Sequence, residues 1–265
     1  MDKKIIVLIL LTAIIIIGML LTPSDENYAL LRYVLNGVGL TLIPFIGAWI
    51  GIEASKFFGL KSLFGKAILF ISLGMITYGI GTIIFFYYNV FLQTEIPYPS
   101  LADVGFSLTI IFINIGAFLF LKTVIKKFDF LNFIKLLIVP ILVFIFVFPF
   151  FVYEKIMEEV PLFTKILNVY YVIGDILFLS FAILIILSSY GSLLFRSISI
   201  IAIGFIIQTI ADFSFTYTAS IGTYYTSCWV DVVYCLAFFT LGYGMYYFYK
   251  KGKETMSQPV SRKVK

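Results

Sequence analysis

Four carboxylates sit where a water-soluble chain would not put them. Asp103, Asp175, Asp212 and Asp231 each fall inside, or just inside, a long apolar run. A carboxylate in hydrocarbon costs a few kcal/mol on insertion scales, about 3 at a helix centre, so such residues face a bundle interior and mark function by default. Asp175 lies about a dozen residues into its run, near mid-membrane, and no Lys or Arg at that depth offers a partner. Asp212 lies in the outer part of the following run. Gln208, one helical turn from Asp212, is placed to bond it. Tyr171, Tyr217, Tyr224, Tyr225 and Tyr234 are phenol donors for the same carboxylates. Asp175, Asp212, Asp231, Tyr171, Gln208 and Tyr234 are therefore the candidate ligand-binding set. The chemistry they offer is oxygen-lined binding of a cation, an amine or a proton.

Asp103 and Asp231 also have a local reading. Ser100 with Asp103 is a capping box, and Thr226-Ser227 precede Asp231 in a similar way. Ser100 and Asp103 are accordingly taken as a structural cap.

The sequence excludes much other chemistry. It has no histidine, which removes His-ligated metals, His general bases and His phosphotransfer. The only cysteines, Cys228 and Cys235, are seven residues apart on one expected helix, roughly 10 Å along its axis. That is too far for a mutual disulfide, and packing is their expected role. No cofactor or metal is expected; any metal would be a hard cation held by oxygen. No Ser-Lys pair, zinc motif or phosphate loop is present. A two-carboxylate mechanism is opposed by the different depths expected for Asp175 and Asp212, so the chain is expected not to be an enzyme.

The elements that carry these residues are membrane spans. Charged residues make up 12% of the chain, mean hydropathy is +1.08 and 62% of residues are hydrophobic. A soluble domain carries about 25% charged residues. About eight runs reach the ~20 apolar residues that cross the hydrocarbon core: 5–21, 29–55, 66–92, 101–124, 130–152, 162–190, 197–216 and 224–249. The expected fold class is an all-α membrane protein, a single polytopic domain over 1–251 with a basic cytoplasmic tail over 252–265. The first run lacks a small-x-small cleavage site and is expected to stay as an uncleaved span. Its cleavage would leave seven spans and an N-terminus outside.

Of the 19 Lys and Arg residues, Arg32, Lys155 and Lys165 fall on one side of this topology and all the others on the opposite side. Short basic loops stay cytoplasmic, so the chain is expected in the cell membrane with both termini inside. The net charge of +5 fits anionic headgroups at the inner face. It leaves no basic face for nucleic acid. The outer segments are acidic and aromatic, with Asp25-Glu26-Asn27, the 93–100 stretch, Glu154 and Glu158-Glu159, and Gly222 to Ser227.

Spans three and four echo spans seven and eight. Gly74 matches Gly204, and Ser-Leu-Ala-Asp103-Val-Gly-Phe matches Cys-Trp-Val-Asp231-Val-Val-Tyr. Tyr33-Val-Leu-Asn-Gly37 matches Tyr171-Val-Ile-Gly-Asp175 more weakly. The pattern suggests a four-plus-four parallel repeat with halves 1–127 and 128–251. Gly37, Thr82 and Asp103 then stand where the second half has Asp175, Asp212 and Asp231. Gly47 with Gly51, Gly79 with Gly81, and Gly242 with Gly244 are expected at close helix contacts. Pro140 and Pro149 should kink span five.

The stretch Pro97-Tyr-Pro-Ser-Leu-Ala-Asp103-Val-Gly-Phe resembles the Pro-Ser-x-Ala-Asp turn of multi-span N-terminal sensor regions in some prokaryotic histidine kinases and diguanylate cyclases. The resemblance implies a sensing role and no catalytic residues. Those proteins continue into a cytoplasmic kinase or cyclase domain, whereas this chain ends in a short basic tail. A stand-alone version would signal through a separate membrane or cytoplasmic partner. The first expectation is thus a non-enzymatic membrane sensor or small-ligand-binding module. The alternative is a transporter or ion-coupled carrier that uses Asp175 near the midplane.

Overall fold

The computed structural model describes residues 2–94, 96–125 and 130–257. The described residues are helical and bundle-forming, with eight helical spans long and apolar enough to cross a membrane. The spans are α1 (Asp2–Leu21), α2 (Ala29–Phe58), α3 (Leu63–Tyr87), α4 (Ala102–Val124), α5 (Phe130–Val147), α7 (Leu162–Ser189), α8 (Phe195–Ser220) and α9 (Trp229–Ser257). A short α6 (Tyr153–Met157) precedes α7. The chain is a multi-pass membrane protein, as its composition demands.

Local chemistry sets the helix ends. Gly59, at φ +88°, closes α2, a backbone state that glycine adopts without a Cβ penalty. Ser62 caps α3 by accepting from the Gly65 N–H at 2.9 Å. Asp103 accepts from the Ser100 N–H at 2.6 Å and from its hydroxyl at 3.1 Å, while the Ser100 hydroxyl accepts from Ala102 N–H at 3.2 Å. The expected capping box over Ser100 and Asp103 is therefore formed.

Successive spans alternate in direction. Lys4 pairs with Glu53, and Tyr246 donates to Asp2 at 2.6 Å, so α1, α2 and α9 share one end, here the terminal end. The last span differs from expectation. It begins at Trp229, because Tyr224 to Cys228 form turns, and it continues through Gly252 to Ser257. Cys228 consequently lies in the turn before α9, not on the helix. Of the expected tail over 252–265, residues 252–257 extend α9, and 258–265 lie outside the described residues. Pro149 sits in a π-helical stretch, Phe148–Val152, and Pro140 inside α5.

Small residues allow the close contacts. A Cβ on Gly105 would stand 2.7 Å from the backbone N of Gly81 and from the Thr77 carbonyl. Gly47 lies against the Gly242 Cα, and Gly51 against Ser72 and Met245. The two hairpins α3–α4 and α8–α9 use glycine alike. Gly74 packs on Ile113 and Gly116 on Ile71; Gly204 packs on Leu241 and Gly244 on Ile201. In the register that pairs Gly74 with Gly204 and Asp103 with Asp231, these are the same contacts. Between hairpins, α2 packs on α9 and α4 on α7.

The first and fifth spans differ. α1 packs on both α2 and α9, burying Ile5, Leu8, Thr12, Ile15 and Met19. α5 packs mainly on α7 and buries Val143 and Val147.

Candidate functional site

Asp175 stands midway along α7, Asp212 in the half of α8 remote from the terminal end, and Tyr234 in the second turn of α9. The bundle brings them together. The carboxyl groups of Asp175 and Asp212 lie within electrostatic and hydrogen-bonding reach of each other. The expectation that the two lie at different depths is corrected here. Counting residues from loop ends treated the spans as equally long and upright, whereas α8 runs on to Ser220, past its expected end at 216. A carboxylate only accepts, so a hydrogen bond between the two would require one proton on the pair.

Tyr234 donates to Asp212 Oδ1 at 2.7 Å. Gln208 Nε2 donates to Asp212 Oδ2 at 3.1 Å and to Oδ1 at 3.4 Å. The acceptors on Asp212 fix the amide orientation, with nitrogen towards the carboxyl. Gln208 Oε1 is then left buried with no hydrogen-bond partner. Asp175 is 4% exposed and Gln208 3%. A buried acceptor without a donor costs about 1–3 kcal/mol, which water or a ligand N–H, O–H or cation would recover.

Tyr78 of α3 is the member that sequence reasoning missed. Its ring lies 5.9 Å from Tyr234 and 4.3 Å from Phe238, within electrostatic reach of both Asp212 and Asp231. One signal was present: in the hairpin register Tyr78 is the counterpart of Gln208.

Asp231 and Tyr171 sit apart from the carboxyl pair. Asp231 accepts from the Ser227 N–H at 2.6 Å and from Tyr224 at 3.2 Å, with Asn36 of α2 close enough to act on it. The Ser227 hydroxyl donates to the Arg32 carbonyl at 2.6 Å. Arg32 donates in turn to the Pro23 and Asp25 carbonyls at 2.9 and 2.6 Å. Asp231 thus caps α9 and moors it to α2. Tyr171 donates to Asp103 Oδ1 at 3.0 Å, joining α7 to the α4 cap. Burial pushes the phenol of Tyr224 above its usual range, with Asp231 adding to the effect, so Tyr224 is a donor at neutral pH. Tyr217 is exposed, and Tyr225 faces the Arg32 guanidinium.

Away from the termini the pair is followed by further polar groups; towards the terminal end it meets aromatic rings first, with the Ser180 hydroxyl beyond them turned back onto the Ile176 carbonyl of its own helix. On the terminal side, Phe178 lies three residues beyond Asp175 and Phe205 three residues beyond Gln208. Their rings stack with centroids 6.4 Å apart, both fully buried. Phe58, Phe64, Phe120 and Phe248 pack together further down. Two open clefts among the described residues lie elsewhere. One, of about 340 Å³, is lined by Leu30, Tyr33, Asn89, Val90, Gln93 and Thr94; the other, about 150 Å³, by Lys3, Lys4, Val7, Ile46 and Trp49. The carboxyl pair is closely packed, a place for a proton, a water or a small cation.

No group of three or more His, Cys, Asp or Glu side chains among the described residues is placed to hold a metal ion. Comparison with protein-family models, curated proteins and solved structures finds no match for the chain.

Proposed function

We propose that the chain is a non-enzymatic sensor of the cell membrane, a small-ligand-binding module whose site is Asp175, Asp212, Gln208 and Tyr234. The observation that carries this reading is one-sidedness: a buried carboxyl pair with an unsatisfied amide oxygen beside it, closed on the terminal side by Phe178 and Phe205. A site reached from one side and floored by aromatic rings suits binding and reporting. With the basic loops and both termini cytoplasmic, the site faces outward. Its occupant is a proton, a small cation or an amine, because the group left unmatched is an acceptor. The likeness of the 97–106 stretch to sensor turns supports the same role, with the signal passed to a separate partner. Asp103 and Asp231 hold the helices that frame the site.

The test is binding in lipid nanodiscs. Sodium, ammonium and methylammonium chlorides are titrated against wild type and Asp212→Asn, with tyrosine fluorescence and infrared carboxyl bands as readouts. A saturable response to one cation, or to pH alone, that disappears in the variant supports the reading. Responses identical in both proteins sink it.

One observation favours the carrier alternative. Tyr78 belongs to the first hairpin, whereas Asp212 and Tyr234 belong to the second, and carriers place coupling sites where repeats meet. The like glycine contacts of the two hairpins support a four-plus-four repeat. Cation or proton flux in proteoliposomes that is abolished by Asp175→Asn would select this alternative.

A further inference from the structure

Two buried amide oxygens near the carboxyl pair lack donors among the described residues. One is Gln208 Oε1, beside Asp212; the other is Asn114 Oδ1, on α4. Asn114 spends its N–H groups on the carbonyls of Ile110 at 3.0 Å and Gly174 at 3.3 Å. Gly174 immediately precedes Asp175. The second oxygen therefore opens on the helix segment that carries the pair.

Polar groups recur along the seam between α4 and α7 from Asn114 towards the opposite end, on either side of Ile110, which packs on Gly174. Ser107 contacts the Tyr171 hydroxyl at 3.4 Å, and Tyr171 bonds Asp103. Tyr170 donates to the Ser107 carbonyl at 2.8 Å. Tyr98 donates to Asn168, which donates to Glu158 Oε2 at 3.0 Å. Asp103 to Asn114 spans about 16 Å of helix. These hydroxyls, amides and acids are bonded to one another, a chain along which a proton can pass. Water belongs at the unmatched oxygens of Asn114 and Gln208, since buried waters stand where polar groups lack partners.

The groups that face the pair come from every neighbouring helix. α8 supplies Asp212 and Gln208, α9 supplies Tyr234, α3 supplies Tyr78 and α4 supplies Asn114; α5 offers Val143 and Val147 to the same stretch of α7. No Lys or Arg acts on either carboxyl.

We propose that the α4–α7 seam is a hydrogen-bonded access path, joined by water at its unmatched amide oxygens, that loads protons onto the Asp175–Asp212 pair from the end opposite the termini, with Asn114 positioning the last water. This rests on the pair being the site, and it names the proton as the occupant. Ser107 and Tyr171 relay through hydroxyls, and Phe178 with Phe205 stops the path beyond the pair.

The experiment is hydrogen–deuterium exchange of the protonated-carboxyl stretch, followed by time-resolved infrared spectroscopy after mixing full-length protein in nanodiscs with D2O. The variants are Asn114→Leu, which keeps size and removes both polar atoms, Tyr171→Phe, and Asn114→Gln as the conservative rescue. Circular dichroism and gel filtration check each fold. The expected result is exchange slowed on the order of tenfold in Asn114→Leu, the factor for losing one buried hydrogen bond, a smaller slowing in Tyr171→Phe and recovery in Asn114→Gln. Exchange at the wild-type rate in both Asn114→Leu and Tyr171→Phe overturns the path and leaves the site standing. A carboxyl band that persists unchanged in both Asp175→Asn and Asp212→Asn overturns the site itself, and the path with it.

Discussion

Phe178 and Phe205 stack at 6.4 Å, one turn beyond Asp175 on α7 and one turn beyond Gln208 on α8. The two helices thus change from polar to aromatic at the same level. Replacing Phe205 by Ala should cost about 3–5 kcal/mol by cavity formation, the range for buried Phe. It should also admit water past the pair. The expected outcome is a lower unfolding midpoint in detergent mixtures together with faster deuterium exchange of the carboxyl band. Loss of stability with no change in exchange would mean that the rings only pack.

Much of this arrangement was legible in the sequence, and its limits are physical. Gln208 and Asp212 are one turn apart on one helix, so helical geometry alone pairs them. Ser100 and Asp103 carry a cap signature for the same reason. The spans announce themselves because no other structure buries so many apolar residues. The Asp175–Asp212 contact was not legible. It depends on how far α7 and α8 slide past each other, which loop positions do not specify. Tyr78 and Asn114 were missed because one polar residue in an apolar run gives no periodic signal. The peripheral place of α5 is hidden too, since a lipid-facing helix and a buried one are equally apolar in a membrane.

Glycine packing provides a test with an internal control. Gly105 meets backbone on α3, where a Cβ would be 2.7 Å from the Gly81 nitrogen and the Thr77 oxygen. Gly18 meets only the Leu35 side chain, at 2.9 Å. A side chain can rotate away, whereas a packed helix backbone must move. Gly105→Ala should therefore lower the thermal midpoint steeply and reduce folded yield, and Gly18→Ala should change either little. Equal effects would show that α3 and α4 do not meet as closely as this.

Cys228 is buried in the turn before α9, and burial raises its thiol above the usual value, with Asp231 adding to the shift. The thiolate is the reactive form, so a raised thiol is less reactive at neutral pH. Maleimide labelling of the folded protein at pH 7 should be slow at Cys228 and at the fully buried Cys235. It should accelerate at Cys228 only as pH rises beyond the normal thiol range, and become fast at both on denaturation in SDS. Rapid labelling of the native protein at pH 7 would show that the turn opens.

Asp103 and Asp231 brace the first turns of α4 and α9, and each is linked to the other half of the bundle, Asp103 through Tyr171 and Asp231 through Ser227, whose hydroxyl donates to the Arg32 carbonyl. Removing an N-terminal cap costs roughly 0.5–2 kcal/mol. Asp103→Ala and Asp231→Ala should each fall in that range or slightly above it, since a cross-helix bond goes too. The α4–α7 and α2–α9 interfaces share no partner among these contacts. The double variant should therefore lose the sum of the two single losses, within about 0.5 kcal/mol. A deficit much larger than the sum would mean that the two caps act through one connected network, and Tyr78, within electrostatic reach of Asp231 and Asp212 alike, would be the first residue to substitute in tracing it.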